Sequence, residues 1–320
     1  MLRGSRVWIV VLVIVLSALA INAQSRDAVD NYNRGIECYQ RGNMEGAVKA
    51  FTKVIHAALN IKTPSSQKAL NVQNAQMNLT ADDEEPKDGI TFVDPLTSMA
   101  YANRGLARFR LGDFDGAISD NDRAIVINPG LLLAYRNRGV IYWKHGDLDK
   151  ALADFTTVIE KNPRDANARD NRGSVYFDKG DNVSALADFN HAIRLDPQRP
   201  DFYCDRGEAF LAAGEADKAV QDFRRAIEIS HEFARGHGCL GLAAIKQRQP
   251  AEALPHLNRA IALDPGWGLA YALRGLALLR LGKKDEAQKD FDECLRLDPS
   301  LKPHLEVSLK NEAKMLSRPR

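Results

Sequence analysis

Apolar and small residues recur along this chain with two superimposed periods, one helical and one much longer. Gly105, Gly139, Gly173, Gly207, Gly241 and Gly275 follow one another at a constant 34-residue interval, and Gly35 precedes Gly105 by slightly more than two such intervals. If each of these glycines is position 8 of a unit, position 20 is Ala47, Ala117, Ala151, Ala185, Ala219, Ala253 and Ala287. Position 15 is glycine except at Arg248. Position 24 is phenylalanine except at Asn121 and Leu257, and position 32 is proline except at Leu59 and His231. Large apolar residues fall at 11, 12, 24, 27 and 28, as in Tyr176, Phe177, Phe189, Ala192 and Ile193. The pattern predicts seven pairs of amphipathic helices, each pair joined by a short polar turn.

Each fixed position has a physical reading. Position 8 takes a tiny residue where two antiparallel helices cross closely, and alanine at 20 faces it. Glycine at 15 ends the first helix in the left-handed conformation. Asp113, Asp147 and Asp181 follow it as N-caps of the second helix. Proline at 32 ends the second helix and opens the next unit.

These residues resemble the tetratricopeptide-repeat family over roughly 28–61 and 98–299. The resemblance implies an all-α, right-handed superhelical solenoid of about seven helix-turn-helix repeats. Its concave groove would be lined by the first helix of each repeat, and its stability would come from stacking of neighbours. The expected organisation is a signal peptide at 1–23, a first repeat at 24–61 and a polar, acidic, flexible insertion at 62–97. Six contiguous repeats follow at 98–300, then a C-terminal capping helix at 301–320. The interruption is expected to leave the first repeat less firmly held than the rest.

Composition changes this picture in one place. Arg3 and Arg6 precede an apolar run, Val7 to Ile21, with Ala18, Ala20 and Ala23 as cleavage-site residues. At about 1.5 Å per residue the run falls short of a bilayer's roughly 30 Å core. It reads as an export signal, placing the protein in the periplasm or secreting it; the alternative is a membrane anchor formed by residues 7–21. The formal charge of +2 falls to near zero without the leader, and no basic stripe suggests nucleic acid. Cys38, Cys204, Cys239 and Cys294 form no CxxC pair and read as small core or groove residues. Asn78-Leu79-Thr80 is a glycosylation sequon by pattern.

Position 6 carries Asn33, Asn103, Asn137 and Asn171, then Asp205, Cys239 and Leu273. By family resemblance this position faces the groove. The asparagines look like the ladder with which the repeat domain of O-linked N-acetylglucosamine transferase grips extended peptides. An Asn amide offers both donor and acceptor to any peptide unit. The other reading is a merely tolerated polar residue.

Position 7 carries arginine and position 23 aspartate, and both vanish together in unit six, at Leu240 and His256. Joint loss predicts structural ion pairs of Arg104 with Asp120, Arg138 with Asp154, Arg172 with Asp188, Arg206 with Asp222 and Arg274 with Asp290. Arg34 has only Ala50 opposite. No HExxH, GxSxG or phosphate-binding glycine loop is present, and no cofactor or metal is implied. The chain reads as a non-catalytic scaffold for a protein or peptide partner in the groove, in envelope assembly, secretion or chaperoning. The competing reading is a structural subunit that self-associates as a homo-oligomer through its convex or end surfaces.

Overall fold

In a computed structural model the described residues are 26–60 and 95–316. The expected leader, the sequon and all but the last three residues of the 62–97 insertion lie outside them. Every regular element among the described residues is a helix. The first pair is α1, over 26–40, and α2, Met44–Asn60. The next pairs are α3 Pro95–Arg110 with α4 Phe114–Ile127, and α5 Leu132–His145 with α6 Leu148–Lys161. These are followed by α7 Ala166–Asp178 with α8 Asn182–Leu195, and α9 Pro200–Ala212 with α10 Ala216–Ile229. The last pairs are α11 Ala234–Lys246 with α12 Pro250–Leu263, and α13 Gly268–Arg280 with α14 Lys284–Leu297. A 3-10 turn, Pro299–Leu301, leads into α15, Lys302–Leu316. Helix α3 starts at Pro95, inside the last part of the insertion as read from the sequence.

The chain packs as two compact units, Met1–Pro163 and Arg164–Arg320. The first holds the first three pairs and the second the last four with α15.

The turn within each pair is set by backbone sterics. Gly42, Gly112, Gly146, Gly180, Gly214 and Gly282 have φ between 77° and 95°, where a side chain is disfavoured. Arg248 occupies the same conformation at φ 61°. Arg248→Gly is expected to stabilise the Arg164–Arg320 unit by about 1 kcal/mol, read as a higher urea midpoint; an unchanged or lower midpoint would show that no strain resides there. Asp113 and Asp181 accept from the backbone N–H of Gly116 and Ser184 as N-caps. Asp147 makes no such bond and lies instead 3.3 Å from Lys150 Nζ.

Position 8 is small for the reason the sequence suggests, the close approach of the second helix, and for a second one. A Cβ on Gly173 would lie 2.8 Å from Phe189 Cε1, and one on Gly241 would lie 2.5 Å from Leu257 Cγ. The glycine thus seats the large side chain at position 24 and also admits the backbone carbonyl of the alanine at 20, as Ala185 O lies 3.2 Å from such a Cβ on Gly173. In the second pair Asn121 takes the phenylalanine's place. It is fully buried, its Nδ2 donates to Ala117 O at 2.8 Å, and its Oδ1 has no partner.

In the first unit Phe51, Val54 and Ile55 of α2 share one apolar cluster with Tyr101, Ala102 and Ala107 of α3 and Ile127 of α4. The first repeat therefore joins the same core as its neighbours, and the intervening segment does not divide it from them. In the second unit α15 covers the last pair: Leu305 is buried against Ala272, Leu278 and Phe291. Glu312 receives the Arg280 guanidinium, which also donates to Ile245 O. Covering the apolar edge of a terminal repeat is what stacking architectures require.

Candidate functional site

The arginines of position 7 lie on first helices, one residue before the close crossing, and reach across to the second helix. Arg104 donates from Nε and Nη2 to Asp120 at 2.9 and 2.6 Å. Arg138 reaches Asp154 at 2.9 and 2.7 Å, and Arg172 reaches Asp188 at 2.7 and 2.9 Å. Arg206 reaches Asp222 at 2.8 and 2.6 Å, and Arg274 reaches Asp290 at 2.8 and 2.7 Å. All five aspartates are buried, and each bond pair is the bidentate fork that fixes both partners. Burial pushes the Asp154 carboxyl above its ordinary range even beside Arg138, so desolvation consumes much of the attraction. Arg34 is exposed.

The remaining guanidinium nitrogen does something that pairwise sequence reasoning missed. Arg104 Nη1 donates to Thr52 Oγ1 at 3.0 Å, and Arg138 Nη1 to Asp122 Oδ1 at 2.5 Å. Arg206 Nη1 donates to Asn190 Oδ1 at 2.7 Å, and Arg274 Nη1 to Asn258 Oδ1 at 2.9 Å. Thr52, Asp122, Asn190 and Asn258 all stand at position 25 of the preceding repeat. One arginine thus ties its own two helices and the repeat before it. Tyr101, Tyr135, Tyr203 and Tyr271, one helical turn earlier, lie under Arg104, Arg138, Arg206 and Arg274 at 5.2–5.7 Å. The signal was present as a polar position 25 and an aromatic position 4.

The asparagine column is divided in its surroundings. Asn137 is buried, and its amide donates to Ala102 O of the preceding repeat at 3.3 Å. Asn103 donates to Tyr32 Oη at 2.8 Å, joining the first two repeats. Asn171 is half-buried and belongs to the other unit, and Asn33 is exposed on α1. In Asn103 and Asn137 the amide N–H groups serve contacts between repeats.

A recess on first helices lies instead within the second unit. Its volume is about 550 Å³, and it is walled by α9, α11 and α13. Phe233, Leu242, Trp267 and Leu273 form its apolar side, with Leu269 exposed at the rim. Asp201, Glu208 and Arg235 form the polar side. On the helices these residues occupy positions 2, 6 and 9 of successive repeats. The indole of Trp267 folds over Gly238, where any Cβ would collide with it.

Behind Arg235 lies a carboxyl cluster. Arg235 Nη2 donates to Asp205 Oδ1 at 2.6 Å and to Glu208 Oε1 at 2.8 Å. Asp170 is buried with Oδ1 unpartnered. Burial, then the charge of Asp205, pushes its carboxyl up to about 9, and it shares a hydrogen bond with Asp205. Asp205 is raised as well, by burial first. Cys239 lies against Cys204 as a pair of free thiols. The hydrogen bond from Cys204, with burial, holds the Cys239 thiol well above its ordinary range, which makes it a poor nucleophile. Among the described residues no three His, Cys, Asp or Glu side chains converge as metal ligands do.

The sixth repeat, which lacks the arginine–aspartate pair, brings the His256 ring of α12 to the His237 ring of α11, with centroids 6.4 Å apart and planes inclined by 30°. Burial lowers both, with Arg259 adding to the effect at His237, and His237 and Arg224 adding to it at His256. The His231 carbonyl opposes it at His237, and Glu252 opposes it at His256. The unfolded chain then binds protons more readily than the folded one, so stability present above pH ~6.5 is lost as pH falls. His256→Leu is expected to flatten the drop in thermal midpoint between neutral and mildly acid pH. A drop as steep as the parent's would place the acid-sensitive groups elsewhere.

Helix pairs with a 34-residue repeat, four of them tied to the preceding pair by the position-7 arginine, define a helical-repeat protein. The tetratricopeptide-repeat model matches residues 136–200, 171–232 and 240–301, and the chain belongs to the tetratricopeptide-repeat family. Among solved structures, a tetratricopeptide repeat protein of Parabacteroides merdae is 16% identical, with 89% of this chain and 99% of that chain covered, at a TM-score of 0.64. A thermophilic repeat protein of Thermus thermophilus is 22% identical, covering 57% of this chain and 99% of its own, at 0.52. In the Cut9–Hcn1 hetero-tetramer of APC/C, the matching chain is 13% identical over 83% of this chain and 52% of its own, at 0.57. At these identities the likeness is one of fold. A search of curated proteins returns no match.

Proposed function

We propose that this protein is a non-catalytic scaffold that binds a protein partner through an extended segment laid along its first helices. The observation that carries this is the recess between α9, α11 and α13, where an exposed leucine, a half-buried tryptophan and carboxylates meet on neighbouring repeats. Family membership supports a protein-interaction role of this kind. The centre of binding moves from the second to fourth repeats to the fifth to seventh, because the amides of Asn103 and Asn137 are engaged within the fold. The leader-like segment at 1–23 supports export as part of the same reading.

The test is affinity capture on the full-length chain, with identification of what is retained by mass spectrometry. An Asn103, Asn137 and Asn171 triple-alanine variant is run beside it. A specific partner held by the parent and also by the triple variant is the expected result. Loss of that partner on the triple variant would return the site to the asparagine column. A parent that retains nothing beyond an unrelated helical repeat would end the scaffold reading.

A further inference from the structure

We infer that the recess of the fifth to seventh repeats seats a basic side chain, arginine or lysine, of an extended peptide. The inference rests on the scaffold reading and names the chemistry of its partner. The wall carries Asp201, Glu208 and Asp264, with Asp205 immediately behind. One cation, Arg235, stands among the lining residues, and its Nη2 is already shared between Asp205 and Glu208. The carboxylates outnumber it, so the recess is electronegative.

Three classes of occupant can be compared. An anionic group would have to draw Arg235 away from two carboxylates, leaving buried charge without its partner. A purely apolar side chain would strip water from Asp201 and Glu208 and return no hydrogen bond. A basic side chain satisfies both faces at once. Its aliphatic stem lies against Leu242, Leu273 and the Trp267 indole, and its charged head reaches Asp201 and Glu208. The indole adds a cation–π surface, and Gly238 is the residue that lets that ring fold inward. Leu269, 42% exposed at the rim, offers a contact to a flanking apolar residue of the peptide. The volume of about 550 Å³ falls in the range of ligand recesses, roughly 300–1,000 Å³, with room for one long side chain and its flanking backbone.

The experiment is fluorescence anisotropy of the full-length chain with three labelled, end-blocked peptides of alternating alanine and leucine around one central residue: arginine, glutamine or glutamate. The arginine peptide is expected to bind at least about tenfold more tightly than the other two, and less tightly as salt rises. Asp201→Asn and Leu269→Ala should each weaken it severalfold. Asp201 is half-buried and Leu269 exposed, and unchanged unfolding midpoints would show that both variants are folded. Equal binding of the glutamate peptide, or an arginine peptide indifferent to both variants, overturns the assignment. So does failure of all three peptides to bind. In that case a partner still captured by the full chain would keep the scaffold reading and place its contact on another surface.

Discussion

Replacing Asp120 with alanine is expected to lower the stability of the Met1–Pro163 unit by roughly 3–5 kcal/mol, the range for breaking one side of a buried ion pair. Asp120 is 2% exposed, accepts from Arg104 twice and forms an ion pair with Arg108 Nη1 at 3.0 Å. Without it the Arg104 guanidinium, itself buried, retains the hydrogen bond to Thr52 and the Tyr101 ring but no counter-charge of its own repeat. The loss comes from stranded charge more than from attraction removed. A double variant, Arg104→Met with Asp120→Leu, should therefore recover most of it. Asp222→Ala should cost less, because the Arg206 side chain is 21% exposed and finds water more easily. Urea unfolding followed through Trp143 in the first unit and Trp267 in the second separates the two. A loss below about 1 kcal/mol in Asp120→Ala would show that the pair contributes no more than a surface ion pair does.

Asp170→Asn is expected to stabilise the Arg164–Arg320 unit, by about 1–3 kcal/mol at neutral pH. Burial and the neighbouring Asp205 hold the Asp170 carboxyl far above its unfolded value of 3.8, at about 9. The folded chain therefore keeps a proton that the unfolded chain releases. Its contribution is fully present below pH ~4 and is lost progressively as pH rises toward 9. Asparagine carries no such penalty and still offers Asp205 a donor. The advantage of the variant should grow with pH across that window and vanish near pH 4, read as the difference between the two urea midpoints. A destabilised variant, or a difference that does not vary with pH, would mean that Asp170 is ionised and paired in the folded chain.

Both variants act on groups that the 34-residue period makes visible to different degrees. Arg104 and Asp120 recur as columns, and their joint absence at Leu240 and His256 marks them as partners from spacing alone. Their third contact, to position 25 of the preceding repeat, is far less legible. Thr52, Asp122, Asn190 and Asn258 share only polarity, and Thr52 is separated from Arg104 by the whole insertion. Asp170 carries no periodic signal, because it stands alone at position 5, where other repeats carry tyrosine, alanine, arginine, cysteine or glycine. The charges that act on its buried carboxyl come from Asp205 and Arg235 on the next two first helices.

The sequence alone determined the helix pairs, their turns, the residues that seat each crossing and the intrarepeat ion pairs. All of these depend on neighbours within one 34-residue unit, where spacing along the chain is also spacing in the fold. Tertiary structure alone decided three things: that α2 shares a core with α3 despite the interruption, that two asparagines of the column serve neighbouring repeats, and that the recess lies among the later first helices. Those outcomes depend on which side chains from different repeats meet. Positions 2, 5 and 9 vary freely from unit to unit, and position 6 abandons asparagine at Asp205, Cys239 and Leu273, so no period carries that information, and stacking brings Asp201, Arg235 and Leu269 together although each occupies the same position in its own repeat.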